Sequence, residues 1–339
     1  MQRRDFLTTA AAGVLAAAAV RPAFAQGGGD RGGGGRGGGG RGGGGGRGPT
    51  PPLGNPKPYP RSPKAARIAM MTLNFASWVK DIPDVEPGPQ RTMAFFDMPQ
   101  MIADVYDVHL IEFQNQHFES SSPAYFKSLR AALEKSKSRA TQINANFQAG
   151  LWMSAPSVGA RLQSIALSKW TIDQAVMLGA QRVMCQQAHG SLGWSNLPQA
   201  AAAFKEVADY GRSKNIIVSV ETRGGGVPVP PNVPPPDVPM PGLETWKLLT
   251  ALIKQAGAYA NPDVGNANAM NQEQIHQCLS KELMFPTAGS MHCRVNQNWD
   301  LTTAIKYVLG LGYTGIFTPE AAGGHEGVMP IYDAVMAAL

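Results

Sequence analysis

The chain has 339 residues, with 30 lysines and arginines against 24 acidic side chains, a formal charge of +6 and a hydrophobic content of 43%. Seven arginines and two aspartates among residues 1–50 carry +5 of that charge, so the rest is nearly neutral and its charge implies no nucleic-acid-binding face. The three cysteines, Cys185, Cys278 and Cys293, lack metal-finger spacing, and their odd number argues against a disulfide framework.

Residues 1–25 read as a signal peptide. Arg3 and Arg4 precede Phe6 and Leu7, an alanine-rich stretch runs to Val20, and Ala23 to Ala25 offer a small-residue cleavage site. The stretch is too short and too weakly apolar for a stable membrane span. Its Arg-Arg-x-Phe-Leu pattern resembles the twin-arginine signal, which exports folded proteins; an ordinary secretory signal is the alternative. Either reading implies a periplasmic or otherwise exported protein. Residues 26–64 are rich in glycine and arginine, then in proline, with almost no apolar side chain to bury, and are expected to form a disordered linker. Aromatic residues for stacking on nucleic acid are missing among its arginines.

From residue 65 to 339 short β-branched runs alternate with longer amphipathic ones. "ARIAMMTLNFA" is followed by a short helix near "MPQMIADVY" and a second strand, "VHLIEFQNQ". "AYFKSLRAALEKSK" precedes "ATQINANF", "ARLQSIALSKWTIDQAVMLG" leads into "AQRVMCQQA", and "AAAAFKEVADYGRSK" into "NIIVSVE". "LETWKLLTALIKQAG" precedes "AYANPDVGN", "NQEQIHQCLSKEL" precedes "SMHCRVN", "LTTAIKYVLGLG" leads to "YTGIFTPE", and "IYDAVMAAL" closes as a helix. Eight strand–helix beats predict an α/β fold, a single (β/α)8 TIM barrel. A doubly wound open sheet is the runner-up, but no Gly-x-Gly-x-x-Gly follows the first strand.

In such a barrel the chemistry sits where strands end. The second strand ends near Glu112, Gln114 and His117, and the fourth in Gln186, Gln187 and His189. The fifth ends in Glu221, the sixth in Asp263, the seventh in His292 with Arg294, and the eighth in Glu320. Taken singly, each has a structural explanation: an ion pair, a turn cap, a satisfied core histidine. Together, three carboxylates at one rim would repel unless a cation sat among them. Oxygen-rich ligands with one imidazole suit Mn²⁺ first, then Mg²⁺ or Co²⁺, better than zinc.

"VSVET", "NPDVGNAN", "MHCRVN" and "FTPEAAGG" resemble, in order and spacing, motifs of the xylose isomerase-like barrels, the sugar phosphate isomerases/epimerases. The resemblance covers residues 65–339. It implies a divalent metal held by Glu221, Asp263, His292 and Glu320, and a keto sugar whose α-proton is removed by one of two facing glutamates, Glu221 and Glu320, and returned by the other. His117, His189, Arg294, Asn266 and Glu112 become candidate carbohydrate contacts. The sequence departs from the ketose epimerases at Asn266, where they have histidine, and Arg294 takes the lysine position of the broader family.

Between Glu221 and the next helix lies "GGGVPVPPNVPPPDVPMPG", long for such a loop and readable as a lid. Trp152, Trp194 and Trp299 fall in predicted loops, where indole rings can stack on sugars. Three functions are thus open: an exported metal-dependent isomerase or epimerase; a metal-dependent lyase or hydrolase on a 3-keto-glycoside at the same site, the lyase sharing the first proton abstraction; and a non-catalytic sugar-binding barrel. Phosphodiester hydrolysis, as in the endonuclease IV enzymes that share the fold, would need more histidines and a basic groove. The sequence leaves the oligomeric state open.

Overall fold

The computed structural model describes residues 57–83, 91–147, 150–185, 192–222, 243–264 and 270–339. His189, Asn266, Gln186, Gln187 and the proline-rich loop lie outside them, as do the signal peptide and most of the linker.

Six parallel strands follow one another in sheet order as in sequence: β1 (Ala69–Met71), β2 (Leu110–Gln114), β3 (Arg139–Ala145), β4 (Arg182–Cys185), β5 (Ile217–Thr222) and β6 (Tyr259–Pro262). A parallel pair, β7 (Ser290–Cys293) and β8 (Ile316–Pro319), continues the order. Single bridges complete the circuit, Asp263 to His292 between β6 and β7, and Phe317 to Ile68 between β8 and β1. A doubly wound sheet would reverse its strand order midway; this one runs around and closes.

Each strand is followed by a helix: α1 (Met98–Tyr106), α2 (Pro123–Lys135), α3 (Val158–Leu178), α4 (Leu197–Ser213), α5 (Leu243–Ala256), α6 (Gln272–Glu282), α7 (Leu301–Gly310) and α8 (Gly324–Ala338). Their starts carry local instructions. Ser122, Ser157 and Asp300 each accept a hydrogen bond from a first-turn amide, and Asn271 with Gln274 forms a capping box. Outward strand residues such as Val218, Val220, Met291 and Phe317 are buried in the apolar core. None of the described helices is long and apolar enough to cross a membrane.

One feature departs from the expectations, and a second from the usual filling of such barrels. The end of the expected linker is built into the barrel: the Tyr59 amide donates to the Val105 carbonyl at 2.7 Å, and its ring packs on Tyr106 and Tyr332. One tyrosine amid prolines is enough to dock the segment, because it meets two aromatic rings. The barrel interior is also polar where Val, Ile and Leu commonly fill it. Gln142, Asn144, Ser219, Asn261, Ser290 and Thr318 are all buried.

Candidate metal centre

Side chains two apart on a strand share a face. On β5 this puts Ser219 and Glu221 inward, and on β7 Ser290 and His292. At the ends of β6 and β8, Asn261 is followed by Asp263 and Thr318 by Glu320. Glu221, Asp263, His292 and Glu320 are therefore brought to one level, all buried, each with a ligand atom within 4.8 Å of the others.

His292 is the hub. Its Nδ1 lies 2.7 Å from Glu221 Oε1 and 3.4 Å from Glu320 Oε2, while its Nε2 lies 2.6 Å from Glu112 Oε1. Burial opposes a charged ring, but Glu112 and Glu221 hold the imidazole well above its ordinary value. Burial pushes the Asp263 carboxyl up to about 7, reinforced by the Glu221 charge beside it. Arg294 pairs with Glu320 Oε1. Burial alone would lower its guanidinium, yet Glu320, Asp263 and Glu221 hold it above the usual arginine range.

Do these residues fit a divalent ion? Three carboxylates and one imidazole form a hard, oxygen-rich donor set of the kind that Mn²⁺ and Mg²⁺ take. Glu320 Oε2 is buried without a hydrogen-bond partner among the described residues, and it points to the side of His292 that carries Nδ1. A buried carboxylate oxygen left in this way is costly unless a cation shares it. The set fits.

Glu112, expected to meet substrate, sits deeper. It is wholly buried on β2, and both its oxygens are engaged: Oε1 by Asn144 Nδ2 at 2.7 Å and by His292, Oε2 by Thr318 Oγ1 at 3.2 Å and Ser290 Oγ at 3.3 Å. Burial disfavours its charge, yet His292, Asn144 and Thr318 more than compensate and hold the carboxyl below its ordinary value.

His117 is also buried, in the short turn Asn115–His117 after β2. Thr72 Oγ1 lies 3.0 Å from its Nδ1, and Phe95 meets it edge-on. Burial lowers its pKa to about 4, so the ring is neutral at physiological pH. Trp152 and Trp299 are buried rather than offered to a sugar; Trp194 is half-exposed.

Sequence reasoning missed Asn74. Its Nδ2 donates to the Pro319 carbonyl and its Oδ1 accepts from the Ala321 amide, both at 3.0 Å, gripping the chain on either side of Glu320. The signal available was an asparagine three residues beyond the first strand. It also missed the polar layer beneath the ligands, whose signal was the period-two recurrence of polar residues in runs such as "QINAN".

No protein-family model and no curated protein matches the sequence. Solved structures do. A D-psicose 3-epimerase solved in the presence of D-fructose superposes with a TM-score of 0.57 at 12% identity, covering 80% of this chain and 89% of that one. A 3-keto-D-glucoside 4-epimerase from E. coli gives 0.55 at 10% identity, covering 80% and 98%. A xylose isomerase-like TIM barrel protein from Mycobacterium smegmatis in complex with magnesium gives 0.55 at 16% identity, covering 81% and 98%. At such identities the likeness speaks for the fold, and the chain has the (β/α)8 fold of the xylose isomerase-like sugar epimerases and isomerases.

Proposed function

We propose that the protein is a metal-dependent sugar isomerase or epimerase that moves a proton on the carbon next to a carbonyl. The observation that carries this reading is the placement of two buried glutamates, Glu221 and Glu320, on either side of one histidine and one aspartate at the barrel rim. Binding a sugar requires no such pair, whereas inverting a carbon next to a carbonyl is served by one acid–base group on each face of the sugar.

Glu221, Asp263, His292 and Glu320 would hold the ion, and Mn²⁺ is the first choice. Bound there, a divalent cation supplies Lewis acidity, polarising the sugar carbonyl and acidifying its α C–H. Glu221 would take the proton and Glu320 return it, or the reverse according to the sugar's configuration. Arg294 neutralises part of the acidic cluster and hydrogen-bonds the sugar. Burial keeps bulk water away from the four ligands.

The substrate class proposed is an uncharged keto sugar. An exported protein would seldom meet sugar phosphates, and Arg294, the cation beside the ligands, is already paired with Glu320. A second reading, action on an oxidised (3-keto) glycoside, is favoured by the likeness to the 3-keto-D-glucoside 4-epimerase. Its first step is the same; expulsion of the aglycone would make it a lyase. Incubating Mn²⁺-loaded protein in D₂O with a panel of free ketoses and 3-keto-glycosides, followed by NMR, tests these readings. Deuterium at the α-carbon of an epimerised sugar supports the epimerase, a released aglycone supports the lyase, and no exchange with any of them contradicts both.

A further inference from the structure

Resting on the reading of His292 as a metal ligand, we infer that Glu112 is the positioning residue that fixes the imidazole with Nδ1 toward the ion and Nε2–H toward the barrel floor. The two ring nitrogens point in diverging directions, so only one can reach the ligand cluster. Nδ1 is the nitrogen facing Glu221 and Glu320, and Nε2 faces Glu112. A neutral imidazole has one protonated nitrogen, and the partner of that nitrogen decides which one it is. Glu112 accepts from Nε2–H, which leaves the Nδ1 lone pair for the metal.

The surroundings show that Glu112 is built as an acceptor and nothing else. Asn144 donates to Oε1, and Ser290 and Thr318 hydroxyls reach Oε2. Ser290 and Thr318 lie two residues before His292 and Glu320 on the same strands. One carboxylate thus braces the strands that deliver two of the four ligands. The geometry depends on an irregularity in β2–β3 pairing: the register shifts between Ile111 and Glu112, and the additional residue, Thr141, donates its hydroxyl to the Ile111 carbonyl. Such bulges re-aim side chains. Here Glu112 comes opposite Gln142, and Asn144 reaches the carboxylate.

The test is Mn²⁺ titration of the parent, Glu112→Gln and Glu112→Leu by calorimetry, with metal-free melting as the check on folding. A loss of about 10- to 100-fold in Mn²⁺ affinity is expected, smaller for glutamine, which keeps one acceptor oxygen, than for leucine. A filler of the barrel floor would change the melting temperature and leave the affinity alone. Folded variants that bind Mn²⁺ as the parent does would overturn the inference while leaving the metal site standing; a parent that binds no divalent ion would remove both. Should the variants not fold, ¹⁵N-histidine NMR of the parent saturated with Mg²⁺ decides. A proton on His292 Nε2 and none on Nδ1 is expected, and the opposite pattern refutes the assignment.

Discussion

His292 on β7 and Glu221 on β5 meet at 2.7 Å across the β6 strand end that carries Asp263. This contact joins an imidazole held well above its ordinary value to a carboxylate. A divalent ion would replace the proton that the pair shares.

Metal binding should therefore release protons and stabilise the fold. At an ion concentration of 100 times Kd, the gain is about 2.7 kcal/mol. Calorimetry in buffers of different ionisation enthalpy should count one ion per chain and a positive proton release. His292→Gln should weaken binding before it weakens the fold, and excess Mn²⁺ should restore part of its activity. Equal affinity in parent and variant would remove His292 from the ligand set.

Glu282, at the end of α6, is buried, accepts from Thr222 Oγ1 at 2.8 Å through Oε2, and leaves Oε1 without a hydrogen-bond partner among the described residues. Burial raises its carboxyl well above the ordinary value, with some help from the Asp263 charge. The folded state therefore holds this proton more tightly than the unfolded chain does. Its contribution is complete below the unfolded pKa and lost as pH rises through the folded one. Glu282→Gln, which mimics the protonated acid, should be near parity with the parent at pH 4 and more stable by at least about 1 kcal/mol at pH 8, roughly one pKa unit's worth. Parallel stability profiles from pH 4 to 8 would contradict this.

Gly324 opens α8 with φ +67°, and a Cβ there would lie 2.2 Å from the Trp78 ring. The backbone conformation is unfavourable for an L side chain, and the indole is packed in the core. Gly324→Ala should cost about 2–4 kcal/mol, combining overpacking with backbone strain. Urea denaturation measures it, and a loss below about 1 kcal/mol would show that Trp78 moves freely aside.

Truncation should separate two parts of the N-terminal segment. Residues 26–56 offer almost no apolar side chains, so their removal should leave the melting temperature of the barrel unchanged. Extending the cut through Tyr59 removes the bond to Val105 and the packing on Tyr106 and Tyr332, and should lower it by several degrees. Identical melting of both truncations would count against Tyr59 as an anchor.

The barrel was legible because its signal is repeated. β-branched runs such as "NIIVSVE" and amphipathic runs such as "AAAAFKEVADYGRSK" alternate along the chain, and each strand end announces a polar residue. Glu221, Asp263, His292 and Glu320 could be brought together on paper because equivalent strand ends share a rim. What could not be read was depth and direction. Glu112 and His117 both lie near the end of β2, yet a shift in strand register and a short turn send one to the floor beneath His292 and the other to Thr72. The tryptophans in predicted loops failed for a related reason. Trp152 and Trp299 lie in segments that fold back over the core, so local polarity said little about their burial.

The central claim is that Glu221 and Glu320 move a proton on a metal-bound keto sugar, and solvent deuterium exchange tests it most directly. Parent, Glu221→Gln and Glu320→Gln are loaded with Mn²⁺, assayed for metal content, and incubated in D₂O with a ketose that the parent turns over. Glutamine keeps an oxygen for the ion but accepts no proton. The account predicts that each variant with bound metal loses at least about 10²–10⁴-fold in α-carbon exchange, the usual worth of a general base. Metal-loaded variants that exchange as fast as the parent would contradict it, leaving both glutamates as ligands only.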